Sequence, residues 1–405
     1  MINTDPIKIE EILLRGVDTI YPNKEAFKTA LLSGKRLRIY NGVDPTGPDL
    51  HIGHAFPLWK LREFQDLGHE VILLVGSFTA MIGDPTDKMA ARVPLTKEQV
   101  VANFKTYKKA ASKILKFSGE NKAQIRYNDK WLAKLDFAKI LPLMSHFTLQ
   151  QMSERDMFEK RINDQKPIGL HEFMYPLMQG YDSVAMDVDV EVGGSDQTFN
   201  MLVGRTLQRV MNNKEKFVLT TPLLSDSSGK KMSKSEGNII AILDAPEEMF
   251  GKVMALGDGM IIPLFQNATR ISLEDIEKYK QELASGTNPR DIKMKLAMEL
   301  VRMYHSMAAA KRAKKNFENI FQKHELPEEI SEVMIAVPEM NIVDLLVETK
   351  LASSKTDARR LMEQGGIKIG EETISDPNRA IKITAEGTVI QRGKRQFAKV
   401  KFQTV

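Results

Sequence analysis

Two histidines in His51-Ile52-Gly53-His54 and two lysines in Lys231-Met232-Ser233-Lys234-Ser235 are the side chains whose types and spacing best fit a chemical task. Residues three apart lie on one side of a helix's first turn, so both imidazoles can donate to phosphate oxygens whose charge grows in a transition state. Gly53 has no side chain, and a nucleotide can lie against the backbone there. The lysines fall within Ser225-Asp226-Ser227-Ser228-Gly229-Lys230 and its continuation to Gly237. That stretch reads as a flexible loop, of the kind that closes over a site and places charges late. In-line displacement at phosphorus needs positioning and electrostatics more than covalent help. Together the motifs point to attack on the α-phosphorus of ATP. Taken singly, each has a plainer reading, as a surface histidine pair and a solvated basic loop.

The elements around the first motif suit that task. A strand is expected over Arg36–Tyr40, then turn residues from Asn41 to Pro48, then a helix from the motif itself. A helix N-terminus after such a loop favours phosphate through its backbone N–H groups and dipole. Leu58, Leu61, Phe64 and Leu67 repeat at helical spacing, and Pro57 predicts irregular or kinked early turns. Val71–Val75, Gln124–Tyr127 and Val188–Val192 read as further strands, and two are followed by the loops Gly76–Pro85 and Gly193–Gln197. This alternation predicts an α/β fold with a parallel sheet, in which ligands collect outside the carboxyl ends of the strands. There is no GxGxxG fingerprint or Walker A loop, so the nucleotide is held another way.

From about Ala245 to Lys323 the pattern becomes helical. Asn288-Pro289-Arg290-Asp291 resembles a helix start, with Ile292, Leu296, Leu300 and Tyr304 on one stripe. Ala308–Lys315 continues as a basic helix, for which a solvated face and RNA contact are both open. Leu326 to Pro338 reads as a linker. Beyond it, Ser354-Lys355-Thr356-Asp357 caps a helix that Gly365-Gly366 ends, and Ile367–Ile369 and Phe397–Phe402 look β-like.

With 405 residues the chain is expected to form two or three domains, and 42% apolar with 27% charged residues is an ordinary soluble composition. No apolar run approaches a membrane span, and no secretory signal is visible at the N-terminus. Zero cysteines exclude disulfides and thiolate chemistry, and the seven histidines form no ligand-spaced cluster with carboxylates. A cytoplasmic protein with no metal site of its own is the expectation. Of the net charge of +5, the stretch Asn341–Val405 carries +4, from twelve Lys or Arg against eight Asp or Glu. Such a tail suggests a polyanion partner, RNA or DNA, although a merely solvated surface is also open.

The chain resembles the class I aminoacyl-tRNA synthetases, and among them the bacterial-type tyrosyl-tRNA synthetases. The likeness extends over essentially its whole length. His51–His54 and Lys231–Ser235 match the two signature motifs of the class. The tail is similar to an S4-like RNA-binding domain, through Ala358-Arg359-Arg360-Leu361 and Gly365-Gly366-Ile367. The resemblance implies a Rossmann-like, parallel-sheet nucleotide-binding domain over residues 1–224. An α-helical domain over 225–325, a linker over 326–339 and a small α+β S4-like domain over 340–405 would follow.

The resemblance also implies the ligands. Tyr40 and Asp182 would bind a substrate phenolic hydroxyl, while Tyr175, Gln179 and Asp84 would bind its α-amino group. The helical spacing of Tyr175, Gln179 and Asp182 places all three on one face, although isolated residues of these types are as often core aromatics and surface charges. Gln197 would lie beside the carboxylate. Asp196 would hold the ribose, and Thr46, Gly53, Lys231, Ser233 and Lys234 would complete the ATP site. His51, His54, Lys231 and Lys234 would act in catalysis. Arg359, Arg360 and Lys368 would touch RNA. L-tyrosine, ATP with its Mg²⁺ and tRNA(Tyr) are the implied substrates, and a homodimer the implied assembly. Asn41 stands where some members carry cysteine, and Thr198 where some carry tryptophan. A tryptophan-specific enzyme and a non-catalytic RNA-binding protein on the same fold are the alternatives.

Overall fold

The computed structural model describes residues 1–47, 50–84, 95–224, 239–320, 330–370, 372–393 and 396–402. They form two compact units, Met1–Asp244 with Leu256–Leu296, and Ala245–Ala255 with Ala297–Val405.

The first unit is built on a six-stranded sheet. Its strands are β1 (Ile20–Tyr21), β2 (Arg38–Val43), β3 (Glu70–Val75), β4 (Gln124–Tyr127), β5 (Val190–Gly194) and β6 (Phe217–Thr221), in the order β1-β6-β5-β2-β3-β4. All neighbours are parallel except β1, which pairs antiparallel with β6. β3 is almost wholly buried, as its run of Val, Ile and Leu demands of a strand covered on both faces. The sequence order reverses between β2 and β5, and loops at such a switch point form the ligand crevice of open α/β sheets.

Helix Ile52–Asp66 runs continuously through Pro57. Its buried side chains include Leu58, Leu61 and Phe64, three of the four residues that define the apolar period. Residues 256–296 group with the sheet and not with the later helices. Buried Leu264 and Phe265 belong to this segment, and polar contacts also tie it to the sheet unit. The Arg15 guanidinium donates to the Thr269 and Ile271 carbonyls, and Arg270 pairs with Glu63 and lies over the Trp59 ring.

In the second unit, helices Pro246–Met254 and Met307–Glu318 pack together, with the Phe250 and Phe317 rings 5.5 Å apart. The strands that follow are β7 (Ser331–Ile335), β8 (Glu339–Asn341), β9 (Ile367–Ile369), β10 (Glu372–Thr373), β11 (Ala380–Lys382), β12 (Thr388–Arg392) and β13 (Gln396–Phe402). They make a five-stranded sheet, β10-β9-β12-β13-β7, and a β11-β8 pair. Helices Ile342–Glu348 and Lys355–Glu363 share a core with them that includes Leu345, Leu346, Met362, Ile390 and Val400. The linker expected over 326–339 is therefore structured from Ser331 onwards. β7 pairs in parallel with β13, some 65 residues later in the chain.

Candidate active site

Helix Leu170–Met186 carries the densest set of candidate residues. Tyr175 and Asp182 are buried and Gln179 half-buried, as the four- and three-residue offsets require of one inward face. The Tyr175 hydroxyl donates to Asp44 Oδ2 at 2.8 Å, while Asp44 Oδ1 accepts from Thr79 at 2.7 Å. Asp182 accepts from Trp131 Nε1 at 2.7 Å and from Asn128 Nδ2 at 3.2 Å. Burial pushes the Asp182 carboxyl well above the usual carboxylate range, against the pull of those two donors.

Tyr40, on β2, is fully buried among Ile72, Leu74, Met186 and Val188, with Trp131 at the edge of that cluster. Its hydroxyl lies 2.9 Å from Ser183 Oγ. Burial first, then the carboxylates of Glu191 and Asp182, hold it strongly in the neutral, proton-bearing form. Thus Tyr40 and Asp182 share one environment, each anchored by neighbours of its own.

The loops at the carboxyl ends of the strands do converge. Gln197, in the turn Ser195–Gln197 after β5, donates from Nε2 to Asp84 Oδ2 at 2.7 Å, in the loop after β3. Arg155 stands 3.7 Å from Asp84 Oδ1 and lies against the Phe158 and Phe199 rings. Asn200 Nδ2 donates to both Gln179 Oε1, at 2.9 Å, and Gln197 Oε1, at 3.0 Å. Ser77 and Phe78, beyond β3, bond to Asp129 and Asn128 beyond β4. Asp196 sits in the same turn as Gln197, and Thr46, exposed after β2, bonds through its N–H to the Asp44 carbonyl. Asn41 is buried and donates to the Val192 carbonyl at 2.7 Å, tying β2 to β5. Thr198 donates to the Ser195 carbonyl at 2.6 Å.

At the first motif, His51 is the N-cap of helix Ile52–Asp66 and His54 its third residue. The Gly53 N–H donates to His51 Nδ1 at 3.1 Å, and the His51 N–H to His54 Nδ1 at 3.4 Å. An imidazole that accepts at Nδ1 carries its proton at Nε2 when neutral. The two rings, 3.8 Å apart between centroids, are thereby set as a pair of Nε2–H donors at a helix N-terminus. A Cβ on Gly53 would lie 3.0 Å from the His51 ring, so a side chain there would press on that imidazole.

Lys231, Ser233 and Lys234 lie outside the described residues. The residues flanking them do not. The Ile52 N–H donates to the Ile240 carbonyl at 3.0 Å, and the Ile242 N–H to the Leu50 carbonyl at 2.9 Å. Leu224 and Ile239 line one apolar depression with His51, Ile52 and Gly53. The two motifs, far apart in sequence, are therefore joined at one place through the flanks of the second.

Asp44, Thr79, Asn128, Trp131, Arg155, Ser183, Glu191, Asn200 and Lys216 all belong to these networks without having been singled out from sequence. Glu191 and Lys216 had a visible signal. Each is a charged residue within, or one position before, an apolar strand. Asn128 and Trp131 had none.

In the second unit, Arg359 and Arg360 are exposed on helix Lys355–Glu363, and Lys368 is exposed on β9. Arg360 pairs with Asp357 at 2.7 Å, which offsets part of its charge. Among the described residues no group of three or more His, Cys, Asp or Glu is placed to hold a metal ion, and no helix is long and apolar enough to cross a membrane.

Residues 32–322 match the family described as tRNA synthetases class I (W and Y), and residues 322–400 match the Tyrosine--tRNA ligase SYY-like C-terminal domain. A tyrosine--tRNA ligase of Thermotoga maritima is 47% identical over 96% of this chain and 96% of its own length. One of Moorella thermoacetica is 44% identical over 96% and 94%. Among solved structures, a C-terminally truncated Coccidioides posadasii mitochondrial tyrosyl-tRNA synthetase superposes with a TM-score of 0.61 at 25% identity, over 76% of this chain and 91% of that one. An Archaeoglobus fulgidus tyrosyl-tRNA synthetase complexed with L-tyrosine shares the fold, with a TM-score of 0.60 at 20% identity, over 76% and 100%.

Proposed function

The chain belongs to the class I tRNA synthetases of the tryptophan and tyrosine group, and from that premise we propose that it is a tyrosine–tRNA ligase. It activates L-tyrosine with ATP to tyrosyl-adenylate and pyrophosphate, then transfers tyrosine to the 3′ end of tRNA(Tyr). The observation that carries the choice of amino acid is the buried polar set around Tyr40 and Asp182. A site built of hydrogen-bonding groups favours a hydroxylated ring, because those groups stay unpaired when the hydroxyl is missing.

In the first step the tyrosine carboxylate attacks the α-phosphorus, and pyrophosphate leaves. Tyr40 and Asp182 take the phenolic end of the substrate. Tyr175, Gln179 and Asp84 take the ammonium, and Gln197 lies beside the carboxylate. His51 and His54 donate from Nε2 to phosphate oxygens as charge builds, and Lys231 and Lys234 supply cations to the same charge. Asp196, Thr46, Gly53 and Ser233 hold the nucleotide. Magnesium arrives on the nucleotide, which it prefers to a protein cage. In the second step a terminal ribose hydroxyl of the tRNA attacks the activated carbonyl and AMP leaves.

Arg359, Arg360 and Lys368 hold the tRNA in this reading, supported by their exposure and the net +4 of that stretch. A homodimer is supported by helix Phe137–Ser145, which exposes Phe137, Leu141 and Met144 at offsets of four and three residues. The protein works in the cytoplasm, where its substrates are.

Pyrophosphate exchange into ATP, run separately with each of the twenty amino acids, tests the function. Exchange with tyrosine alone is expected. Exchange with tryptophan would move the chain to the other branch of the family, and no exchange with any amino acid would leave an RNA-binding protein on this fold.

A further inference from the structure

Lys216, the residue before β6, has no solvent exposure and is paired with Glu191 on the neighbouring strand β5. Its Nζ donates to Glu191 Oε2, to Ser183 Oγ at 2.8 Å and to the Met201 carbonyl at 3.1 Å, so all three ammonium protons are used. Space for this arrangement comes from Gly204. A Cβ there would stand 2.5 Å from Lys216 Nζ and 2.8 Å from Ser183 Oγ. A buried ion pair is weak evidence for stability, since apolar residues of similar volume often do as well. Its place in the polar network suggests another use.

We propose that Lys216 and Glu191 are positioning residues for the amino-acid pocket, setting the direction of the hydrogen bonds that face the substrate. The inference rests on the tyrosine reading above and deepens it.

Two chains of bonds start from the pair. Glu191 is an acceptor only, so the Gln179 amide must turn its nitrogen towards it, at 3.2 Å. The Gln179 oxygen is thereby fixed towards Asn200, whose Nδ2 donates to it and to Gln197 Oε1. Gln197 then donates to Asp84. A row of three amides thus runs between two carboxylates, each amide held in one of its two orientations. The oxygen of Gln179 is presented where a substrate ammonium needs an acceptor, and the buried Asn200 Oδ1 has no partner among the described residues.

The second chain runs through Ser183. Its oxygen accepts from Lys216, and among the described residues its own proton has no acceptor other than the Tyr40 oxygen, at 2.9 Å. Ser183 donating to Tyr40 leaves the Tyr40 O–H as a donor, which the nearby Glu191 carboxylate and a substrate oxygen can each accept. A phenolic hydroxyl on the substrate can then accept from Tyr40 and donate to Asp182.

The test uses the full-length protein with Glu191→Gln, Lys216→Met and Ser183→Ala, followed by tyrosine-dependent pyrophosphate exchange. An amide at position 191 can donate as well as accept, so the Gln179 orientation is released. Tyrosine KM is expected to rise roughly tenfold in Glu191→Gln, with kcat and the KM for ATP within about twofold of wild type. Ser183→Ala is expected to lower the tyrosine-over-phenylalanine ratio of kcat/KM by roughly tenfold, leaving the phenylalanine value unchanged. Lys216→Met should show both signatures. Variants that melt cooperatively, as wild type does, yet keep its tyrosine KM and its ratio would overturn the proposal, because the pair would then be only structural. Should the charge variants fail to fold, Ser183→Ala decides alone, since it removes one hydroxyl and almost no volume. Wild-type protein that exchanges pyrophosphate with another amino acid, or with none, would sink the tyrosine reading instead.

Discussion

Around Tyr175 and Asp182, polar side chains hold one another; around His51, the backbone holds the side chains. Tyr175, Asp44, Thr79, Asn128 and Asp182 form one continuous hydrogen-bonded series before any ligand is considered. His51 and His54 are oriented by the N–H groups of the helix turn they begin. The difference fits two kinds of task. Recognising one amino acid among twenty requires fixed polar groups whose bonds go unmade with the wrong ligand. Charge that appears only during reaction requires donors set in place before that charge forms.

The largest effect should come from the backbone-held end. His54→Ala is expected to slow adenylate formation by roughly 10²–10³, the usual cost of one such donor, and to leave tyrosine affinity nearly intact. Lys234→Ala should behave likewise. Stopped-flow adenylate formation beside equilibrium tyrosine binding checks both. Lost affinity at an unchanged rate would erase the distinction between the two ends.

The side-chain end should give a smaller effect of the opposite type. Tyr40→Phe is expected to lower the tyrosine-over-phenylalanine ratio of kcat/KM by roughly tenfold or more, with ATP kinetics little altered. An unchanged ratio would remove Tyr40 from the pocket.

RNA binding sharpens the contrast from outside the site. Replacing Arg359 and Lys368 by alanine should weaken tRNA binding and reduce its log–log salt slope by about 0.7 for each phosphate no longer neutralised. Pyrophosphate exchange should stay level. Salt titrations of tRNA binding, with exchange run in parallel, decide this. Such point changes are a better probe than a chain ending near Pro338, which would take β13 away from β7.

The smallest effect is on stability, and it sets the baseline for any pH comparison of the two ends. His69, ahead of β3, is buried and accepts from the Leu37 N–H at Nδ1. Burial lowers its pKa to about 4. Between there and the free value of about 6.5 the unfolded chain binds the extra proton, so stability falls as pH falls through that window. A loss of about 1 kcal/mol by roughly pH 5.5 is expected, and His69→Gln should flatten the curve. Chemical denaturation across pH checks it; a slope that persists in the variant would place the titration elsewhere.

Local signals in the sequence carried much of the fold. The apolar run Val71–Val75 is a buried strand, Ser354 caps its helix by accepting from the Asp357 N–H, and Pro289 begins a helix. What stayed hidden was non-local. Ser331–Ile335 lies in a stretch rich in Pro and Glu, and becomes a strand only because β13 offers it an edge. The buried pair of Lys216 and Glu191 is of the same kind. Each charge is visible within or beside an apolar strand, but its partner is not, and only the parallel register of β5 and β6 brings the two together. The face of helix Leu170–Met186 was legible because it repeats within one element; its partners Asn128 and Trp131, on another strand's loop, were not.

The backbone bonds that join Leu50 and Ile52 to Ile240 and Ile242 fix the chain after the second motif beside the His51 turn, and Leu224, before that motif, lines one apolar depression with His51. Lys231 is seven residues from Leu224, so contour length alone keeps it within roughly 25 Å of the His51 turn. In the proposed mechanism its meeting with a bound nucleotide would be intramolecular, at an effective concentration in the millimolar range or above. Lengthening this tether would dilute the lysines only slowly, since each doubling of a loop costs about 0.6 kcal/mol. Cutting it at one end would leave the lysines held through the other flank alone.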